Sequence, residues 1–396
     1  MRTKINIGLF GLGTVGKGLL HVISKNPSEN IKISKICVRD TSKKRNVDES
    51  LITYNYSDIL DNPDINLVVE LIDDDKEAYK IVKTALLNGK SVVSANKKML
   101  ANNLAEIIKI QEENNVVCLY DASSCGSIPV IRNLEEYYDN DLLTSVTGIL
   151  NGSSNFILSK IFNEKLDYNK ALKMAQDLGY AESNPIFDVE GFDSLYKLII
   201  IAAHSFGVIL NPDEVFNSGI SNITTHDLQY ALEKGYKIKL LGNVFKKKEN
   251  YVSAFVMPKL VKANEYIYNV ENQFNGVVIQ GLFYDKQFMF GKGAGANPTG
   301  SAVLSDIMAR THNYQYEYKK MKYHKVPKFT QDIFIEVYLR YNDINDLKYF
   351  NFKEIKEEHK AKDYNYIIGK INLSELIKIK ELIRNLDVFL AYIKIY

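Results

Sequence analysis

Cysteine is scarce in this 396-residue chain: Cys37, Cys118 and Cys125 are an odd number, with no CxxC pair among them. That count argues against a disulfide framework and a cysteine-bound structural metal, and it predicts a reducing compartment, the cytoplasm. Charge of one sign is lacking too. Fifty lysines and arginines stand against 48 aspartates and glutamates, a formal net charge of +2, so no overall field exists to hold nucleic acid or an anionic membrane surface. No apolar run reaches the roughly 18 residues of a membrane span. The opening residues, MRTKINIGLFGLGTVG, pass straight into a strand and a glycine turn without the apolar stretch of a secretory leader. What is present, 46% hydrophobic and 25% charged residues, is the balance of a globular chain long enough for two or three domains.

The first strand, KINIGLF (4–10), is followed at once by GLGTVG and then by KGLLHVISK, whose apolar residues have helical spacing. Further strands are predicted at 31–38, 65–71, 90–95 and 115–120, alternating with helices near 76–88 and 101–113, which implies a doubly wound parallel sheet. Beyond Pro129 the rhythm changes to long helices (151–164, 168–178, 190–207, 224–234) and then to strands (KIKLLGNVF, YVSAFVMPKL, NGVVIQG, KQFMFG). The expected fold is α/β, a Rossmann-type domain over 1–130 followed by an α+β domain over 131–312 that is closed by a helix at 299–311. Residues 313–330, polar, aromatic and basic, are expected to be a linker. A small C-terminal domain over 331–396 would hold strands at 332–340, 364–371 and 387–394 and a helix at 374–385.

GLGTVG places Gly11, Gly13 and Gly16 in GxGxxG spacing between strand and helix. The first glycine permits the tight turn, the second lets a pyrophosphate approach, and the third allows close helix packing, with the helix N-terminal amides facing the anion. Thr14 and Val15 belong to the same candidate cofactor site; a purely structural glycine turn is the alternative. After the second strand, CVRDTSKKR offers Arg39 and Lys43, with Lys44 and Arg45, to a ribose 2′-phosphate, which favours NADP. Asp40 would instead suit the free 2′-hydroxyl of NAD. In SANKK, Ser94 and Lys97 follow the fourth strand at the sheet edge where ligands bind, although a loop lysine is more often surface. Gly295 lies in a second glycine-rich loop, GKGAGANPTG, which either closes over a nicotinamide or merely connects strand to helix.

The stretch AESNPIFDVEGFDSLYKLIII sets one lysine, Lys197, in an apolar run behind four carboxylates. If Asp188 caps a helix, Glu190, Asp193 and Lys197 share one face. Burial would require Lys197 to be paired, with Asp193 the partner one turn earlier. An exposed helical ion pair is the plainer reading. The functional one is a charged site for a polar ligand whose oxygen needs a proton donor.

With these pieces in place the sequence resembles the homoserine dehydrogenases over residues 4–312. The resemblance rests on GLGTVGKGLL, VVELI, GKSVVSANKKMLA, SIPVIRNLE, GILNGSSNFIL, AQDLGYAESNPIFDVEGFDSLYKL and GAGANPTGSAVLSDI. It implies reversible NAD(P)H-dependent reduction of L-aspartate 4-semialdehyde to L-homoserine, in threonine and methionine biosynthesis, by a homodimer whose catalytic and dimerisation domain is the second one, 131–312. It also implies catalytic roles for Lys97 and Lys197, with Glu182, Asp188 and Asp193 holding the substrate. A monovalent cation such as Na+ would be held by the carbonyls of Asp121, Ser124, Gly126 and Ile128. The C-terminal segment resembles the ACT domain that many members carry.

Three departures stand against that pattern. Asp73 and Asp74 occupy positions where the family usually has two glycines, which adds charge and Cβ atoms beside the expected cofactor path. Ser124 and Cys125 replace a valine and a glycine in the cation loop, and a cysteine resists positive φ, so a weakened or altered cation site is expected. NDINDLKYFNFKE replaces the first turn and helix of the ACT pattern, which predicts a degenerate domain that binds no amino-acid effector. The alternatives are a catalytically impaired cofactor-binding homologue and a phosphorylating aspartate-semialdehyde dehydrogenase with Cys125 as its nucleophile.

Overall fold

The computed structural model describes residues 3–396 except 141, 249 and 363, and the chain divides into two compact units. Unit 1 comprises residues 1–139 and 292–319. Its six strands are β1 (Ile5–Phe10), β2 (Ile31–Cys37), β3 (Ile52–Thr53), β4 (Leu67–Glu70), β5 (Ser91–Ser94) and β6 (Cys118–Leu119). They form one sheet in the order 3-2-1-4-5-6, with every pairing parallel. Strands buried on both faces must be apolar throughout, and Leu67, Val68 and Val69 of β4 are fully buried. The sheet order reverses between β1 and β4, so their carboxyl ends flank the crevice where this architecture takes its ligands.

Unit 2, residues 140–291 and 320–396, is built on a mixed sheet. Its strands are β7 (Leu143–Ile149), β8 (Phe216–Asn217), β9 (Tyr236–Lys248), β10 (Tyr251–Lys262), β11 (Phe274–Gly281), β12 (Asp285–Lys292), β13 (Lys328–Phe329), β14 (Phe334–Tyr341), β15 (Phe352–Lys360), β16 (Asn365–Asn372) and β17 (Val388–Ile395). The order is 12-11-7-9-10-17-14-16-15, with β8 and β13 beside β10. The helices Gly152–Glu164 and Phe192–Phe206 carry the residues of interest.

The expected domain boundaries are corrected at three places. The helix expected at 299–311 runs over Ala296–Thr311 and belongs to unit 1. There Gly300 meets Gly18 of the helix Thr14–Lys25 so closely that a Cβ on either would strike main chain. The stretch 313–330 is not solvated throughout: Tyr316 and Tyr318 are buried, and the Tyr318 hydroxyl lies 3.0 Å from that of Tyr120, while residues 322–326 are largely exposed. Residues 331–396 have no core of their own. Ile335, Val337, Leu339 and Leu390 pack in one cluster with Leu241, Phe255 and Met257 from β9 and β10, because two short helices and four strands cannot bury both faces of a sheet alone. Within that segment the strands β14 to β17 lie in the order fourth, first, third, second, every neighbour antiparallel. A 3-10 turn, Ile344–Tyr349, stands between the first two.

Candidate active site

In unit 1 the glycine turn has the predicted build. Gly11 adopts φ +93° with the carbonyl of Leu71 where a Cβ would sit, and a Cβ on Gly16 would lie 2.4 Å from the Gly11 oxygen. Around Gly13 the same space is open, as a backbone that must admit an anion requires. Gly13 caps the helix Thr14–Lys25 without a side-chain bond, and the first turn, with Thr14 exposed and Val15 half-buried, holds no acid. Its amides therefore suit a pyrophosphate. The residues fit a dinucleotide.

After β2, Asp40 is turned into its own loop. Its Oδ1 accepts from the amide and hydroxyl of Ser42 at 2.9 and 2.7 Å, and these bonds lower its pKa. Arg45 braces the loop by donating to the carbonyls of Lys43 and Asp40, while Arg39 and Lys43 are exposed. At the end of β5, Ser94 is fully buried and donates to Glu70 Oε2 at 2.6 Å. Glu70, whose Oε1 accepts from the Ile72 amide, is also fully buried, and desolvation pushes its pKa up to about 7. Asn96 caps the helix Lys97–Glu113 through the Met99 amide and reaches the Ile72 carbonyl. Lys97, half-buried, is therefore the first residue of that helix, fixed by its neighbour's cap.

The acids of ELIDDD have structural duties. Asp74 caps the helix Asp75–Leu87 through the Glu77 amide, a bond that leads the lowering of its pKa, to which Arg39 also contributes. Asp75 pairs with Lys98 at 2.9 Å. Asp73 is exposed.

In the expected cation loop, positive φ falls on Gly126, at +55°. Cys125 ends the short helix Ala122–Cys125 and is absent from the described residues with positive φ. The backbone reason for expecting a weakened site is thereby removed. Asp121 uses its carboxylate to hold the amides of Ile131 and Arg132, and its own amide donates to the buried Asp306, which Arg132 meets at 2.6 Å. The Ile128 carbonyl accepts from the Val130 amide at 2.8 Å. The buried Ser124 hydroxyl finds no hydrogen-bond partner among the described residues, an orphan that an ion or water would satisfy. Gly295, at φ +121°, caps the helix Ala296–Thr311 in unit 1. Beside it Asn297 bonds His21 at 3.1 Å, so this loop rests on the helix that begins at the glycine turn.

In unit 2 the stretch from Asp188 onward departs from one expectation. Asp188 does not cap the long helix. Residues Ile186–Val189 form a separate turn, Gly191 at φ +79° is the break, and the helix starts at Phe192. Glu190 therefore leaves the shared face, because only glycine makes so sharp a re-entry cheaply. Asp193 and Lys197 remain one turn apart. They are 3% and 7% exposed, with Nζ 2.7 Å from Asp193 Oδ2 and 2.8 Å from the Leu150 carbonyl.

Between the acids stands Asn151, which sequence reasoning passed over. Its Oδ1 accepts from the Ser154 amide at 2.7 Å, which turns its Nδ2 toward Asp188 Oδ1 at 2.7 Å and Asp193 Oδ2 at 2.9 Å. The signal was an asparagine at a helix start, in GILNGSSN, where N-caps concentrate. Glu182 is exposed, and its carbonyl accepts from Gln176. Asp188, Asp193 and Lys197 are thus brought together, while Glu182 is not shown bonded to them.

A parallel 3-2-1-4-5-6 sheet with an open glycine turn at its switch point defines the class as dinucleotide-binding proteins of Rossmann build. The family profile Homoserine dehydrogenase matches residues 129–308, and the profile Homoserine dehydrogenase, NAD binding domain matches 11–121. The homoserine dehydrogenase of Bacillus subtilis is 35% identical over 350 residues, 85% of this chain and 81% of that protein. That of Pseudomonas aeruginosa is 37% identical over 311 residues, 77% and 71%. A homoserine dehydrogenase crystal structure from Thiobacillus denitrificans superposes with TM-score 0.85 at 30% identity, covering 100% of this chain and 99% of that one. A hyperthermophilic archaeal homoserine dehydrogenase mutant in complex with NADPH gives 0.68 at 26% identity, covering 80% and 100%. The chain belongs to the homoserine dehydrogenase family, NAD(P)-dependent oxidoreductases acting on a CH–OH group.

Proposed function

We propose that this chain reduces L-aspartate 4-semialdehyde reversibly to L-homoserine with NADPH, Lys197 serving the oxygen that gains a proton, Asp188 and Asp193 holding the substrate's amino group, and Lys97 keeping the catalytic role that the resemblance implies. The observation that carries this reading is the burial of Lys197 against Asp193 and the Leu150 carbonyl. An ammonium has three donors. Two are used among the described residues, leaving the third for a carbonyl or alkoxide oxygen, where a fixed cation in a dry site is most effective. Asp193 keeps that cation in place, and Asn151 holds Asp193 and Asp188 side by side where they would meet an ammonium group.

Gly11, Gly13, Thr14, Val15 and Gly16 would hold the dinucleotide, with Ser94, Lys97 and Gly295 beside it; the nicotinamide supplies or accepts the hydride. Arg39 and Lys43 support NADP over NAD, since Asp40 is committed to Ser42. Glu182 is retained as a substrate contact on the resemblance alone. The unpartnered Ser124 hydroxyl supports a monovalent cation beside the carbonyls of Asp121, Ser124, Gly126 and Ile128. The order of β14 to β17 supports an ACT-like ancestry for the C-terminal segment, and the 3-10 turn in place of its first helix supports the loss of effector binding. A homodimer and a cytoplasmic site complete the proposal. No described helix is long and apolar enough to cross a membrane, and Cys37, Cys118 and Cys125 form no disulfide among the described residues.

The test is oxidation of NADPH and of NADH by the purified protein with L-aspartate 4-semialdehyde, beside Lys197→Ala. Turnover lost in a folded variant supports the role. Wild-type protein that is folded yet inert with both cofactors would overturn it in favour of an impaired homologue.

A further inference from the structure

The turn that presents Asp188 and Asp193 is gripped from outside by the C-terminal segment. Arg384, just after the short helix Lys380–Ile383, sets its guanidinium 4.6 Å from the ring of Phe192, the first residue of the helix that carries Asp193 and Lys197. The same guanidinium donates through Nη2 to Asn217 Oδ1 at 3.0 Å. Asn217, 2% exposed in β8, donates from Nδ2 to the Glu190 carbonyl at 2.9 Å. That carbonyl immediately precedes Gly191, the positive-φ hinge between the Asp188 turn and the Asp193 helix. A second strut supports the same turn: the Val189 carbonyl accepts from the Ile220 amide at 2.7 Å, and a Cβ on Gly219 would lie 1.9 Å from that oxygen. Arg384 is 18% exposed in its side chain, and its pairing with Glu381, itself 71% exposed, adds little. The Phe192 and Asn217 contacts are the sheltered ones.

We infer that Arg384 is a positioning residue for the reductase reaction: through Phe192 and Asn217 it fixes the Glu190–Gly191 hinge, and so the separation of Asp188 from Asp193. This rests on the reading of Asp188 and Asp193 as the substrate's amino-group site. Arginine suits the task because one planar group both stacks on a ring and donates in plane; lysine does one or the other. The C-terminal segment, which the sequence presents as a degenerate regulatory domain, thereby acts on catalysis through a fixed brace and needs no effector.

The test measures kcat and KM for the semialdehyde and for NADPH separately in full-length Arg384→Gln, Arg384→Lys, Asn217→Ala and the double variant Arg384→Gln/Asn217→Ala, with Asp193→Asn as control and thermal melts throughout. Misplaced carboxylates raise the semialdehyde KM of Arg384→Gln about tenfold, the size of one lost charge-assisted hydrogen bond, and leave the NADPH KM unchanged. Lysine restores little, and the double variant raises the semialdehyde KM by less than the product of the two single effects because both residues act on one hinge. A folded Arg384→Gln with an unchanged semialdehyde KM, or with both KM values raised together, overturns the inference. Should a variant fail to fold, Asn217→Ala decides by the same split. If Asp193→Asn also leaves the semialdehyde KM unchanged, it is the substrate-site reading that has failed.

Discussion

Lys197 and Asp193 stand one helical turn apart with their charged atoms 2.7 Å from each other, both side chains more than nine-tenths buried. Removing one partner of such a pair leaves a charge in a dry site, which costs about 3 kcal/mol. Asp193→Asn is therefore expected to lower thermal stability and to reduce kcat/KM for the semialdehyde at least about a hundredfold. A melt and a steady-state assay on the same preparation check both. Full activity with a lowered melting temperature would make the pair structural only.

Asn151 serves two masters, the helix start at Ser154 and the two aspartates. Loss of the cap in Asn151→Ala costs about 1 kcal/mol. Loss of the bridge lets the carboxylates repel each other and separate, so the semialdehyde KM should rise about tenfold. Asn151→Asp keeps the cap but brings a third carboxylate against two others, and it should be the worse enzyme despite the better helix. Equal activity of the two variants would remove the bridging role.

These two residues mark the limit of what the sequence disclosed. The Asp193–Lys197 pair was legible because an i, i+4 spacing survives any uncertainty about where the helix begins. The place of Glu190 was not, since a positive-φ glycine within an acidic run resets the helical face. In unit 1 the alternation of apolar strands and amphipathic helices was enough to imply the parallel sheet, and the glycine turn marked its switch point. The strand β15 escaped notice because FKEIKEEHK lacks apolar alternation. It lies at the sheet edge and is mostly exposed, where charge prevents association. The tyrosines at 316 and 318 read as linker because their burial depends on Gln111 and Tyr120, two hundred residues away in the chain.

Cys125 offers a direct test between chemistries. It is fully buried, a poor setting for a nucleophile that must be an exposed thiolate. Cys125→Ala is expected to retain turnover within about twofold, the ordinary scale of a small buried substitution that leaves the fold intact. Total loss in a folded variant would instead support a thioester route.

Glu70 predicts a pH dependence of stability. Its pKa rises from 4.5 unfolded to about 7 folded through desolvation, so the folded state binds the extra proton between those values. Stability from this group is complete below pH 4.5, declines as pH rises and is lost above about 7, a span worth about 3 kcal/mol. Glu70→Gln should flatten the curve of unfolding free energy over that window and leave the variant the more stable of the two at pH 8. Parallel curves for the two proteins would assign the slope to other groups.

Cofactor choice turns on the loop after β2. Asp40, which would grip a free ribose 2′-hydroxyl, is bonded to Ser42, and Arg45 is spent on main-chain carbonyls. That leaves Arg39 and Lys43, both exposed, for a 2′-phosphate, each contact worth about tenfold in affinity. Arg39→Ala should raise the KM for NADPH by that factor and scarcely change the KM for NADH. A second part of its effect falls on both cofactors in the same direction, since Arg39 also helps hold down the pKa of Asp74, and without it the acids of ELIDDD present more unbalanced charge to either nucleotide. Asp73→Gly/Asp74→Gly separates the two contributions: in the Arg39→Ala background it should recover any loss shared by both cofactors and leave the loss specific to NADPH in place. Equal KM changes for NADPH and NADH in Arg39→Ala, fully reversed by the glycines, would show that this arginine screens the acidic loop and does not read the 2′-phosphate.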